Sequence, residues 1–181
     1  MRDGETERDN NIVLIGMPGV GKSTVGVLLA KALSRDFTDT DLYIQSRECR
    51  RLQDILDGHG RDIFLTLEER YILTLDCRGH VIATGGSVVY SEPAMDHLAD
   101  AGIIVHLDLP FDQLERRINN LPTRGVVMAS DQTLRTLYDE RQPLYRHYAD
   151  VAVPCEGRGH DEVVLAITSR LREAGFPIAG A

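Results

Sequence analysis

The stretch Gly16-Met17-Pro18-Gly19-Val20-Gly21-Lys22-Ser23 has the spacing GxxxxGK[ST], between a short apolar run and a run of helical periodicity. Each residue type in it has a physical reason. Small residues let the backbone curl until successive N–H groups aim at one anion, beside the positive end of the following helix. Gly16, Gly19, Val20, Gly21, Lys22, Ser23 and Thr24 are therefore the candidate ATP-phosphate cradle. The Lys22 ammonium would bridge the β- and γ-phosphates, and the Ser23 hydroxyl would ligate Mg²⁺. The glycine spacing is GxxGxG, which differs from the dinucleotide fingerprint GxGxxG. Guanine selection by an Asn-Lys-x-Asp element is also absent, since neither Lys22 nor Lys31 follows an asparagine. At 181 residues the chain is too short for a motor or transporter ATPase. What remains is a small kinase that moves a γ-phosphoryl group to a small acceptor, with ATP and Mg²⁺ as the groups it needs.

Asp39 and Asp41 are the next chemistry-bearing pair. A carboxylate near Mg²⁺ neutralises phosphate charge, and one beside a hydroxyl orients the nucleophile and takes its proton. Spacing of i, i+2 on an extended segment would put both on one face. Without the upstream glycine-rich loop, two solvated aspartates capping a helix at Leu42 would be the better reading. Eighteen of the twenty basic residues are arginine, so the lysine at position 22 stands out against its background. The six histidines form no HxH or HExxH pattern. Cys77-x-x-His80 has no second pair to complete a metal site.

The elements that must position these groups alternate. Residues 11–15 (NIVLI) read as a buried strand, and Val25, Leu28, Leu29 and Ala32 recur at helical spacing over 22–33. Residues 37–41 read as an extended segment, and 42–56 as two short helical stretches broken near Gly58-His59-Gly60. Residues 62–76 form an amphipathic helix with Phe64, Leu67, Tyr71, Ile72 and Leu75 on one face. Strands follow at 80–83, 103–107 and 151–153. Helices follow from Ser91-Glu92-Pro93, over 111–118, over 131–148 and over 160–173. Residues 119–130 lack periodicity and form a loop of functional length. The alternation implies an α/β fold, a parallel sheet with helices on both faces.

Composition agrees with one globular domain, at 43% apolar and 27% charged residues. The net charge of −8 disfavours a general nucleic-acid surface. Apolar runs such as 12–15 and 163–167 are too short to cross a bilayer. The polar opening MRDGETERDNN has no apolar core of a signal peptide, and three scattered cysteines imply no disulfide framework. The expectation is a cytoplasmic monomer acting on a small molecule, with no nucleic-acid or membrane partner. Its tails are 1–10 and 176–181, and its single domain is 11–175.

Residues 16–24, followed by Phe37-Thr38-Asp39-Thr40-Asp41, resemble shikimate kinase. The resemblance continues through Thr84-Gly85-Gly86, Arg116-Arg117, Arg124 and Arg141-Gln142-Pro143-Leu144-Tyr145-Arg146. It implies a three-layer α/β/α fold, with a five-stranded parallel sheet of the nucleoside-monophosphate-kinase type and a mobile lid at about 119–130. It implies that Asp39 helps hold the Mg²⁺ water shell and that Asp41 binds the acceptor hydroxyl. Arg124 would close over ATP from the lid, and Arg117 would stack on the adenine. Gly85 and Gly86 would line the acceptor ring, Arg141 would grip the shikimate carboxylate, and Glu68 would brace the acceptor arginines.

Two departures fall in the implied acceptor site. Leu65 stands where the family has a second carboxylate-binding arginine, and Ser87 replaces a third glycine. Arg61, one helical turn before Leu65, is the candidate to compensate. The implied reaction is phosphorylation of shikimate to shikimate 3-phosphate in aromatic amino-acid biosynthesis. The alternative acceptor is another small hydroxylated metabolite, a hydroxy amino acid or polyol. A nucleotide-binding sensor without transfer is a third reading, and the intact Lys22, Ser23, Asp39 and Asp41 argue against it.

Overall fold

The computed structural model describes residues 10–119 and 132–178. Its sheet has five strands, β1 (Asn11–Ile15), β2 (Asp36–Asp39), β3 (His80–Ala83), β4 (Gly102–Asp108) and β5 (Val151–Pro154). They run parallel in the order β2-β3-β1-β4-β5. All five residues of β1 are buried, as an unalternating apolar run requires when helices cover both faces of a strand. The helices are α1 (Lys22–Leu33), α2 (Thr40–Glu48), α3 (Leu52–Ile72), α4 (Glu92–Ala101), α5 (Phe111–Asn119), α6 (Leu134–Tyr148) and α7 (His160–Glu173). The result is a three-layer α/β/α fold. One core joins β1, β3, β4 and β5 to α1, α4 and α7, with Val25, Leu29, Leu98 and Ile167 among its buried side chains. A second, smaller cluster of Ile44, Ile55 and Phe64 lies under α2 and α3. The chain stays packed beyond α7, where Phe176 and Ile178 lean on the main core.

The elements follow the sequence periodicity, the break near Gly58-His59-Gly60 included, with a few shifts of boundary such as the end of α3 at Ile72 rather than residue 76. The extended segment ends at Asp39, and Thr40 opens α2, so Asp41 lies in a helical first turn rather than on a strand face. The expected break near Gly58-His59-Gly60 is a kink inside α3, where Gly60 alone leaves helical geometry (φ 80°, ψ 172°). The helix expected from residue 131 begins at Leu134, where Thr133 caps it through the Thr136 amide at 3.1 Å. Arg124 and nearly all of the expected lid fall outside the described residues. No helix among the described residues is long and apolar enough to cross a membrane.

Candidate active site

The site forms where β1 and β3 end at the carboxyl edge of the sheet. After Ile15 the chain turns at Gly16 (φ 142°), where a Cβ would lie 2.7 Å from the Leu107 carbonyl oxygen. Only glycine fits that turn. Lys22 opens α1, and its Nζ donates to the carbonyls of Gly16 (2.7 Å) and Met17 (3.0 Å), holding the ammonium over the loop. Gly19, Gly21, Lys22 and Ser23 line a cavity shared with Asp41, Gly85, Gly86, Ser87 and Arg141. Gly16, Val20, Thr24, Asp39, Arg61 and Arg117 are not part of that lining. Of these, Arg117 reaches the loop directly, its Nη1 donating to the Val20 carbonyl at 3.1 Å. Thr24 is exposed in the first turn of α1.

Asp39 caps α2, its Oδ1 accepting from the amides of Asp41 (3.0 Å) and Leu42 (3.1 Å). The helix-capping reading of this aspartate therefore holds, and the cap is what turns Asp41 into the cavity. Among the described residues no group of three or more His, Cys, Asp or Glu could hold a metal. One hydroxyl at Ser23 and one nearby carboxylate suit Mg²⁺, which keeps most of its waters and binds largely through substrate phosphates.

The loop after β3 closes the acceptor side. Gly85 N donates to the buried Thr40 hydroxyl at 3.0 Å, and the Tyr145 hydroxyl donates to the Gly86 carbonyl at 2.6 Å. A Cβ at Gly85 would meet Glu68 Oε1 at 2.3 Å and Asp41 Oδ1 at 2.8 Å, so both carboxylates converge on that glycine. Arg141 is fully buried, and its Nε donates to the Tyr90 hydroxyl at 3.1 Å. The guanidinium carbons of Arg141 and Arg61 lie 5.0 and 4.9 Å from the centre of the same Tyr90 ring. Arg61 and Arg141 are thus brought together, whereas Leu65 packs with the Ile44–Ile55–Phe64 cluster.

Two participants, Tyr90 and His160, were not legible in the chain, and Glu68 was named only through the family resemblance. Glu68 is 2% exposed, and its Oε2 accepts from Ser87 Oγ at 2.7 Å. Burial chiefly, with the Asp41 charge, raises its carboxyl to about 7 against the Ser87 hydrogen bond and the charges of Arg141 and Lys22. The signal for it is a glutamate on the buried stripe Phe64–Glu68–Ile72 of α3. Tyr90 belongs to a 3₁₀ turn, Val88–Tyr90, too short to leave a periodicity. His160, given no chemistry by its sequence context, sets its ring against the loop, Nε2 lying 3.5 Å from where Gly21 would carry a Cβ.

Comparison with known proteins agrees with this geometry. A family model described as shikimate kinase matches residues 18–172. A shikimate kinase of Pasteurella multocida is 37% identical over 150 residues, 81% of this chain and 86% of its own. The solved shikimate kinase of Acinetobacter baumannii in complex with shikimate superposes with a TM-score of 0.86 at 29% identity, covering 94% of this chain and 97% of that one. The Aquifex aeolicus enzyme superposes at 0.76 with 29% identity, covering 91% and 98%. A glycine-rich loop, a capping aspartate and a buried arginine around one cavity, with similarity spanning nearly the whole chain, make this protein a member of the shikimate kinase family of small-molecule kinases.

Proposed function

We propose that the protein transfers the γ-phosphoryl group of ATP to a hydroxyl of shikimate, giving shikimate 3-phosphate, as a cytoplasmic monomer with one catalytic domain over 11–175. The observation that carries the reading is that Lys22, Asp41 and Arg141 line a single cavity. A phosphate anchor, a hydroxyl-orienting carboxylate and a carboxylate-binding guanidinium then face one acceptor. The Acinetobacter baumannii relative, solved with shikimate, supports that acceptor.

Lys22 and the amides of 16–24 hold the β- and γ-phosphates. Asp41 accepts the acceptor's hydroxyl proton as that oxygen bonds to the γ-phosphorus and the bond to the ADP oxygen breaks. Arg141 pairs with the acceptor carboxylate through a planar bidentate donor. Ser23, and Asp39 through water, would hold Mg²⁺, whose charge would neutralise that of the β- and γ-phosphates. Arg117 flanks the nucleotide beside Val20, and Arg124 supplies a further positive charge from a lid at about 119–130.

A second reading, a different small hydroxylated acceptor, is favoured by Leu65, whose apolar packing leaves no second arginine at that position. ADP release with Mg·ATP, with and without shikimate, separates the two. Shikimate-dependent turnover that disappears in Asp41→Asn is the expected result. No stimulation by shikimate, with ATP binding intact, would overturn the first reading and direct the assay to hydroxy acids and polyols.

A further inference from the structure

Glu68 is the buried charge that the proposed reaction leaves unused. Its Oε2 is held by the Ser87 hydroxyl at 2.7 Å, while Oε1 is closed off from solvent with no hydrogen-bond partner among the described residues. That orphaned oxygen and Asp41 Oδ1 lie 2.3 and 2.8 Å from one point, the Cβ position of Gly85. The two carboxylates therefore fall within the about 4–6 Å over which like charges oppose each other's ionisation. One residue along, the Cβ position of Gly86 is 3.1 Å from Arg141 Nη1. Gly85, Gly86, Ser87 and Arg141 all line the cavity, so Glu68 stands directly behind the surface on which an acceptor lies.

We propose that Glu68, gripped by Ser87, is a positioning residue that takes up a proton when a carboxylated acceptor docks on Arg141, making the affinity for that acceptor depend on pH. The proposal rests on the shikimate reading. An incoming carboxylate adds a third negative charge beside Asp41 and Glu68 and draws on the Arg141 charge that offsets Glu68. Protonating the buried, half-satisfied carboxyl relieves both effects. The groups facing Glu68 are Asp41 from α2, which opposes its ionisation, and Arg141 from α6, Lys22 from α1 and the Ser87 hydroxyl, which favour it. Tyr145 from α6 is held neutral by burial. With the Glu68 carboxyl raised to about 7, the proton is exchanged near neutrality. Ser87 matters because its donated hydrogen bond stabilises the ionised form.

Calorimetric titration of the full chain with shikimate, in two buffers of different ionisation enthalpy near pH 7.5, reads proton uptake directly. The wild type is expected to take up a fraction of a proton, and its KM for shikimate to rise about tenfold between about pH 7 and 9. Glu68→Gln removes the uptake and flattens that profile, with the KM for ATP tracking wild type. Ser87→Ala moves the inflexion up by about one pH unit, because the bond favouring the carboxylate is gone. A wild type with no uptake and a flat profile, uptake retained in E68Q, or an inflexion unmoved in S87A would each overturn the proposal. If shikimate neither binds nor turns over in the wild type, the proposed function falls, and the pair is decided on the free protein. E68Q must then gain stability over wild type against urea as pH rises from 4.5 to about 7, and parallel curves would overturn the pair as well.

Discussion

Arg61 and Arg141 flank one tyrosine ring, at 4.9 and 5.0 Å, a placement that brings two like charges together beside the acceptor cavity. Arg61 Nε is buried with no hydrogen-bond partner among the described residues, and its Nη2 lies 3.8 Å from Glu140 Oε1. A carboxylate arriving near Tyr90 would satisfy both guanidiniums, and by that route Arg61 would make up for the leucine at 65. Losing one charge-assisted contact costs about 1.5–3 kcal/mol, so Arg61→Ala should raise the KM for shikimate by about tenfold or more and leave that for ATP alone. Unchanged constants for both substrates would remove Arg61 from the acceptor site. Gly85 is the complementary case, where addition rather than loss is harmful. An alanine methyl there would sit 2.3 Å from Glu68 Oε1 and 2.8 Å from Asp41 Oδ1, displacing the carboxylate that orients the acceptor. Gly85→Ala should retain the fold and lose about a hundredfold in kcat/KM for shikimate, as an ångström of misplacement does. Wild-type turnover in that variant would show that Asp41 is not positioned through this loop.

At the scale of elements, one aspartate joins a strand to a helix and serves the site through that junction. Asp39 ends β2 and accepts two amides of α2, so its removal frays the helix that carries Asp41. Asp39→Ala should cost about 1 kcal/mol of stability. Asp39→Asn keeps a cap-competent oxygen and loses the charge, so it should hold wild-type stability while needing more Mg²⁺ for half-maximal rate. Equal stability loss in both variants would assign the carboxylate charge itself to folding.

The same junction shows why legibility varied. Strands β1 and β3 and helices α1 and α7 were readable because unbroken apolar runs and 3.6-residue periodicity are local signals. The sequence Asp-Thr-Asp satisfies both an extended segment and a helix start, and only tertiary placement decides between them. Gly58-His59-Gly60 signalled a break that is there, since Gly60 takes a positive φ of 80°, a conformation that favours glycine, and kinks α3. The site was legible where a motif binds a shared ligand, as with Lys22 and Ser23. It was illegible where function comes from pairing across the fold, as with Ser87 and Glu68 or Tyr90 and its two arginines.

For the whole molecule, two buried titrating groups act on stability with opposite slopes over nearly the same acid range. His106 on β4 is 1% exposed, stacks on Tyr145 with ring centres 5.2 Å apart, and has no hydrogen-bond partner among the described residues on either ring nitrogen. Burial lowers it from 6.5 to about 4, with Asp108 opposing and the Arg146 and Lys22 charges assisting. The unfolded chain therefore binds a proton first as the medium acidifies, and stability from this group falls as pH drops from 6.5 towards 4. Glu68 acts in the other direction, since the folded state keeps its proton longer, and stability falls as pH rises from 4.5 to about 7. Each effect is worth up to about 3 kcal/mol, so between about pH 4.5 and 6.5 they largely cancel and the curve is flat. His106→Phe keeps a ring against Tyr145 and removes the titration. Urea unfolding across this range should then show a variant that gains on wild type steadily below about pH 6.5 and has a constant offset above about pH 7. The Cδ2 of His106 lies 3.5 Å from the Cβ position of Gly16, so a proton gained there would place a second cation beneath the loop that holds Lys22. An offset between the two proteins that stays constant with pH would place the acid sensitivity of the fold elsewhere than at this histidine.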